Sequence, residues 1–561
     1  MATLPSRAAC FWAVAMHRVL KHDGPLGRSF DWLAVVALLA IVGMLRSAIP
    51  GVNEAHYLTK SRHFWDPAWC ANDLFLQSTD AHWLFFQTVG VLTRWLSFPA
   101  AAWIGRSLGW GVLAWGFCEL ARPLLPSRIQ IIAAGLLWGA LAAPQGFSGE
   151  WLIGGIEAKV LAWGLAIAGL GAWLQGAARQ ASLRLGLAVA LHPVVGGWVS
   201  LAWLLALPLD RWGPRWFSGV RGPQTPGATK NETAFPDRNR QIVHWGHPLL
   251  LAFCALPGLL PVWQMLQAVD SPQMQQEANR IQVYERLPHH LLPQAFPWDR
   301  VAWSGLLLAV CLVGGWRLTR SPAWRSLRCV LLLACLFTGA GLAASRFPWG
   351  TEFLRFYPFR LLDGLLPVLA ALQMTASWSA FSSRTPRPRW TTPGMARAAL
   401  AAAACGLLAC PQPDRVQPPW KADNFAAWRD VCDWASRELP PEALCLTPKY
   451  SVGFKWWAQR AEFVTWKDCP QDAANLLEWK DRLRLVAEWR EKHFAGGFGV
   501  EALFDLRQYG SIDYVIAWNA DPFRVDPVYR NAVFSVYAVP GSSRPGPANR
   551  QGLSTPPPVA P

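Results

Sequence analysis

The sequence predicts an all-α polytopic membrane domain followed by a small C-terminal extracytoplasmic α/β domain, and three observations lead there. Apolar runs long enough to cross about 30 Å of hydrocarbon, at about 1.5 Å per helical residue, recur from Asp31 to Cys410. The chain is 52% hydrophobic and only 16% charged, and it carries 35 tryptophans, a residue type that gathers at membrane interfaces. After Cys410 the character changes to polar sequence with short β-like runs and one amphipathic stretch.

The elements follow in order. Residues 1–30 form a basic N-terminal segment with Arg7, Arg18, Lys21 and Arg28; it lacks an apolar core with a small-residue cleavage site, so the first span reads as an uncleaved anchor. The membrane domain occupies 31–410, with spans expected near 31–49, 82–98, 101–121, 129–143, 158–175, 182–207, 248–268, 301–316, 327–345, 359–381 and 394–410, about 11 in all. The flanking loops keep their sides only if 82–121 crosses once, which lays part of it along the interface. The run 182–207 contains His192-Pro193 and Gly196-Gly197 and is expected to break into two half-helices, because proline removes a backbone hydrogen bond and glycine loosens the helix. Residues 411–541 read as the α/β domain, with a helix over Asn475 to Arg490 and strands near Tyr514–Ala517 and Val533–Tyr537. The Pro/Ser/Gly-rich tail 542–561 is expected to be disordered.

A formal charge of +16 raises nucleic acid as a partner, but its distribution argues against one. The basic residues sit in short loops between apolar runs, among them Arg122 and Arg128, Arg179 and Arg184, Arg317 to Arg328, and Arg384 to Arg397. The positive-inside rule places these loops in the cytoplasm. By alternation the loops near 50–80, 144–157, 267–300 and 346–357 face outward together with the C-terminal domain, as expected for a multi-pass inner-membrane protein. The 12 cysteines show no zinc-type spacing, and Cys432, Cys445 and Cys469 leave one outer disulfide open. No phosphate-cradling glycine motif is present, so no nucleotide is expected; a divalent cation is left open, with no metal ligands assigned. The absence of obvious repeats weakens a secondary-transporter reading.

Candidate functional residues cluster in the outward loops. Glu54 follows the first span, where a carboxylate costs free energy unless it is wetted or paired, and Tyr57 shares its face on a helix, whereas His56 reads as structural. Glu150, Glu157 and Lys159 bring two acids and a base into a glycine-rich apolar turn, which suggests a wet cavity. Arg286, His289 and His290 form a third group; adjacent histidines point apart and make poor joint metal ligands, but one could bind phosphate or carry a proton near neutral pH. Arg355 and Arg360 are five residues apart, about 140° on a helix, and face one groove only if Pro358 bends the chain.

The runs Asn53-Glu54-Ala55-His56-Tyr57, Trp65-Asp66-Pro67-Ala68-Trp69 and Asp80-Ala81-His82-Trp83-Leu84-Phe85-Phe86 resemble the first outer loop of the GT-C superfamily of integral-membrane glycosyltransferases. Arg360-Leu361-Leu362-Asp363-Gly364-Leu365-Leu366-Pro367 is similar to a segment near the end of that family's membrane domain. The chain also resembles a group of bacterial multi-span proteins without an assigned activity that share the Asn-Glu-Ala-His-Tyr and Arg-x-Pro-His-His-Leu runs. The resemblance implies transfer of a sugar from a polyprenyl-phosphate donor in the membrane to an extracytoplasmic acceptor, with Glu54 as general base and Arg360 facing the leaving phosphate. Asn53 stands where the family has an aspartate, so activity that depends on two carboxylates does not carry over. The readings from other classes are a lipid or polysaccharide transporter, in which the same loops line a path, and a membrane scaffold whose outer domain binds envelope partners.

Overall fold

The computed structural model describes residues 24–212, 246–267, 269, 271–318, 321–382, 406 and 422–541. The expected span 394–410 falls outside the described residues except for Gly406, and so do most of residues 1–30, the basic loops around 213–245 and 383–400, and the tail 542–561.

The described chain is mostly helical and divides into two compact units. The first unit contains the membrane domain. Among its described residues, five helices are long and apolar enough to cross a membrane: Pro25–Arg46, Pro193–Asp210, Gly246–Gln267, Pro322–Ala344 and Arg360–Trp378. On that ground the chain is a membrane protein. The sequence predicts about 11 spans; among the described residues these five meet the length and composition of a crossing helix. Two expected spans, Arg128–Leu141 and Ala158–Leu174, are helices of only 14 and 17 residues, about 21 and 26 Å at 1.5 Å per residue. Phe98–Ala121 is long but carries Arg106 and Glu119, and Trp298–Leu318 carries Asp299 and Arg300 at its start. The expected span 82–98 is instead two short pieces, Trp83–Gln87 and a 3-10 turn Gly90–Arg94, so 82–121 holds one long helix.

Local sequence fixes these boundaries. Proline stands at the first position of Pro25–Arg46 and Pro322–Ala344, where its missing N–H has no helical partner to lose. Ser127 and Gln130 form a reciprocal capping box at the start of Arg128–Leu141. The predicted break at His192-Pro193 is present: Ala178–Leu191 ends there, and Pro193–Trp212 begins and packs back against it. Helices Phe98–Ala121 and Ala158–Leu174 meet backbone to backbone, since a Cβ on Gly116 would collide with the Gly164 carbonyl. That close contact positions the N-terminal end of Ala158–Leu174, which follows the loop carrying the candidate acids.

The second unit is discontinuous in sequence, combining Ala55–Thr79 and Thr93–Phe98 with the chain from Val416 onward. Its sheet has the order β2-β1-β3-β5-β4, with β1 Leu444–Leu446, β2 Ala461–Glu462, β3 Tyr514–Trp518, β4 Tyr529–Arg530 and β5 Phe534–Ala538. β1 runs parallel to β2 and β3, and β5 runs antiparallel to β3 and β4. The core gathers Trp428, Val431, Cys432 and Ala435 of helix Ala422–Glu438 against Cys445, Tyr514, Ile516, Phe534 and Val536 of the sheet. The predicted amphipathic helix lies within Ala473–Phe494, capped by the Asp472 carboxylate accepting from the Asn475 N–H. Cys432 and Cys445 are buried and Cys469 is half-buried, and no disulfide links the three in this structure.

Candidate functional site

In the first unit, the loop from Phe147 to Glu157 is the structure around which most of the predicted residues gather. It enters a left-handed turn at Gly149, φ +75°, where a Cβ would also come within 2.9 Å of the His290 ring, so only glycine fits. Asp363, in the first turn of helix Arg360–Ser382, pins the turn: its Oδ2 accepts from the Ser148 N–H at 3.0 Å, the Ser148 hydroxyl at 2.8 Å and the Glu150 N–H at 3.0 Å. Its other oxygen, Oδ1, is buried and has no hydrogen-bond partner.

Glu150 is thereby placed for three cationic or donor groups. Arg360 Nε lies 2.9 Å from its Oε2, Lys159 Nζ lies 3.8 Å from the same oxygen, and the Trp163 indole N–H donates to Oε1 at 3.0 Å. Lys159 also faces Glu157 at 3.6 Å, and its ammonium lies 4.3 Å from the Trp151 ring centroid. Arg360 stacks over Tyr357 at 4.2 Å, and Tyr357 holds a left-handed backbone, φ 55°. A strained residue beside a buried charge pair is the kind of outlier that clusters at functional sites. Apolar surroundings strengthen each of these interactions and raise the cost of removing any partner.

His290 reaches the same loop from helix Pro288–Leu291, which follows the π-helical segment Ile281–Arg286. Its Nδ1 lies 2.5 Å from the Ser148 carbonyl oxygen; a carbonyl can only accept, so Nδ1 carries the proton and Nε2 presents its lone pair. Burial, then the neighbouring His289, push the His290 imidazole well below its ordinary value, against the raising effect of the Ser148 contact, and Arg360 and Lys159 act in the same direction as burial. The ring is therefore neutral at neutral pH. His289 is exposed, with its ring 4.2 Å from that of His290. His82 and His192, both buried, have ring centroids 4.9 Å apart.

Four predicted site residues land elsewhere. Glu54 is fully buried, and its carboxylate is bound on all sides: Oε1 accepts from Arg106 Nε and the Ile156 N–H, each at 2.9 Å, and Oε2 from Arg106 Nη2 at 2.7 Å and the Gly51 N–H at 2.9 Å. A general base needs a lone pair facing its substrate; here the four bonds make Glu54 an anchor that ties the first loop to Ile156. Glu54→Gln is expected to destabilise the fold by about 3–5 kcal/mol, as buried Arg106 loses its counter-charge and an amide N–H replaces one acceptor oxygen, read as a drop in thermal midpoint. An unchanged midpoint would show the pair to be dispensable. Arg355 donates to Asn279 at 2.9 Å rather than sharing the Glu150 contact with Arg360, because the bend at Pro358 leaves it on the preceding turn. Arg286 sits in the π-helical segment, and Tyr57 falls in the second unit.

Sequence reading passed over a second buried network, inside the second unit. Lys455 Nζ lies 3.0 Å from Asp73, 2.9 Å from Glu462 and 2.5 Å from Asp468. Asp468 also contacts His56 Nδ1 at 2.9 Å, and Glu462 accepts from Thr447 and Ser451 at 2.8 and 3.0 Å. Lys60 donates to the carbonyls of Phe75 and Ser78, each at 2.8 Å. Two segments that are distant in sequence supply these partners, so no local pattern announced them.

A family model described as Domain of unknown function (DUF6798) matches residues 426–486. The matched stretch contains Lys455, Glu462 and Asp468. No curated protein matches the chain.

Proposed function

We propose that the loop Phe147–Glu157 is the centre of a site that transfers a sugar from a polyprenyl-phosphate donor to an extracytoplasmic acceptor, in an inner-membrane protein whose loop and C-terminal unit face outward. The observation that carries this reading is the buried meeting of Arg360 and Lys159 at Glu150, beside a neutral histidine with a fixed tautomer. Leaving-group chemistry requires cations where phosphate charge develops, in surroundings drier than water. Arg360 and Lys159 supply them, exchanging part of their hold on Glu150 for the phosphate. His290 Nε2 takes the acceptor hydroxyl's proton as the oxygen attacks the anomeric carbon and the bond to phosphate breaks. Glu54 then acts as a positioning residue through Ile156, and Asp363 keeps Ser148 and Glu150 in register.

A panel of radiolabelled polyprenyl-phosphate sugars, tested for binding and turnover with the purified full chain and with His290→Ala, examines the reading. Wild-type transfer, lost in the variant while donor binding persists, supports it; failure of every donor to bind removes it. The depressed histidine adds a sign. Because His290 protonates only well below its ordinary value of 6.5, kcat/KM is expected to stay flat through neutral pH and fall on the acid side below 6.5. A fall centred at or above 6.5 would exclude His290 as the base.

A further inference from the structure

Away from the Glu150 loop, the first unit has a shallow apolar cleft of about 660 Å³ between helices Pro25–Arg46 and Phe98–Ala121. Its walls include Trp32, Trp103, Leu108, Gly111 and Trp115. The cleft is a built feature: the Trp32 indole N–H donates to the Gly111 carbonyl at 2.8 Å, which fixes the spacing of the two helices at this point. Trp32, Trp103 and Leu108 are nonetheless exposed, at 37%, 45% and 49%. One wall is a helix apolar enough to cross a membrane, so the open side faces hydrocarbon.

The two ends differ in charge. At the Trp103 end the nearest guanidinium, Arg106, is neutralised by Glu54. At the other end, Arg184 lies 4.6 Å over the Trp115 ring, Arg122 donates to the Arg28 carbonyl, and Arg28 precedes Trp32 by one helical turn. Glu119 is the acid placed among them, pairing with Arg122 at 2.7 Å and Arg184 at 3.1 Å, while Asp31 is committed to Arg128. Among the described residues, these three guanidinium groups against one carboxylate leave an excess of positive charge beside the mouth of an apolar groove. Trp103 to Trp115 spans about 18 Å at 1.5 Å per residue, a length suited to one hydrocarbon chain.

We infer that this cleft binds an anionic bilayer phospholipid, with its headgroup phosphate at Arg28, Arg122 and Arg184 and one acyl chain along Trp32, Leu108 and Trp103. A basic cluster at a membrane helix end attracts anionic headgroups, and the groove adds contact area that a zwitterionic lipid would share without the charge term. The site is separate from the proposed transfer chemistry and stands whether or not that reading holds.

Native mass spectrometry of the purified full chain, titrated with phosphatidylglycerol or phosphatidylcholine, tests it. One phosphatidylglycerol is expected to be retained per chain in preference to phosphatidylcholine. Arg28→Gln removes an exposed charge, and the affinity for phosphatidylglycerol is expected to fall about fivefold, with phosphatidylcholine unaffected. Leu108→Trp fills the exposed groove and is expected to weaken both lipids. Both positions are on the surface, so thermal midpoints serve as the folding control. Equal retention of the two lipids by wild type, a phosphatidylglycerol affinity unchanged in folded Arg28→Gln, or binding of both lipids unchanged in folded Leu108→Trp would overturn the assignment.

Discussion

Replacing Arg360 by alanine is expected to lower kcat/KM for sugar transfer by about 10²–10³, the scale of losing one preorganised charge from a site where an oxyanion develops. The guanidinium is fixed from two directions, by Glu150 at 2.9 Å and by the Tyr357 ring at 4.2 Å, so its geometry does not have to be found during the reaction. A loss of activity alone would not separate chemistry from folding, because Glu150 is buried and truncating its partner leaves charge uncompensated. Two companions separate them. Arg360→Lys keeps the charge but not the planar fork and should recover part of the rate. Glu150→Gln combined with Arg360→Ala removes both charges, should recover thermal stability and should remain inactive. Full transfer by the alanine variant would take Arg360 out of the mechanism.

Lys455→Met is expected to destabilise the second unit by about 3–5 kcal/mol, since it leaves Asp73, Glu462 and Asp468 buried around an apolar side chain. Urea unfolding followed by tryptophan fluorescence, or limited trypsin cleavage, gives the readout; an unchanged midpoint would show that the carboxylates discharge themselves by taking up protons. Glu462 is the one prepared to do so: burial, with Asp468 and Asp73 nearby, pushes its carboxyl up despite Lys455. Asp468 goes the other way. Burial alone would raise it, but Lys455 and His56 hold it well below the usual carboxylate range. A depressed carboxyl contributes stability that is present above its unfolded value of about 4 and is lost as pH falls toward the folded one. The raised Glu462 has the opposite slope, so acid should weaken the unit less than Asp468 alone would dictate.

The sequence made some of this legible and hid the rest for physical reasons. Long apolar runs and the His192-Pro193 break were readable because hydropathy and proline act locally. Arg128–Leu141 and Ala158–Leu174 are apolar but short, so hydropathy alone does not tell which helices cross a bilayer. β3 and β5, five residues each, were visible; β1, β2 and β4, of three, two and two residues, are too short to show a period of two. Glu150, Glu157, Lys159, His290 and Arg360 were singled out as residue types, but their convergence depends on Asp363 and Gly149 shaping a turn. Glu54 drew attention as a carboxylate at a helix mouth, and its partner, Arg106, lies 52 residues away with nothing in sequence to announce it.

The second unit also sets a schedule for biogenesis. The Asp73 carboxylate accepts from the N–H of Glu462, a group that leaves the ribosome 389 residues later. At about 5–20 residues per second, the early segment waits roughly 20–80 s for its complement. Throughout that interval Lys60 and Asp73 belong to an unfinished nascent chain, and a fragment begun at Ala422 would lack them permanently. Co-expressing Ala55–Thr79 with such a fragment would be reassembly of one folding unit from two pieces, and a ribosome-bound chain stalled before Lys455 should expose the first segment to protease.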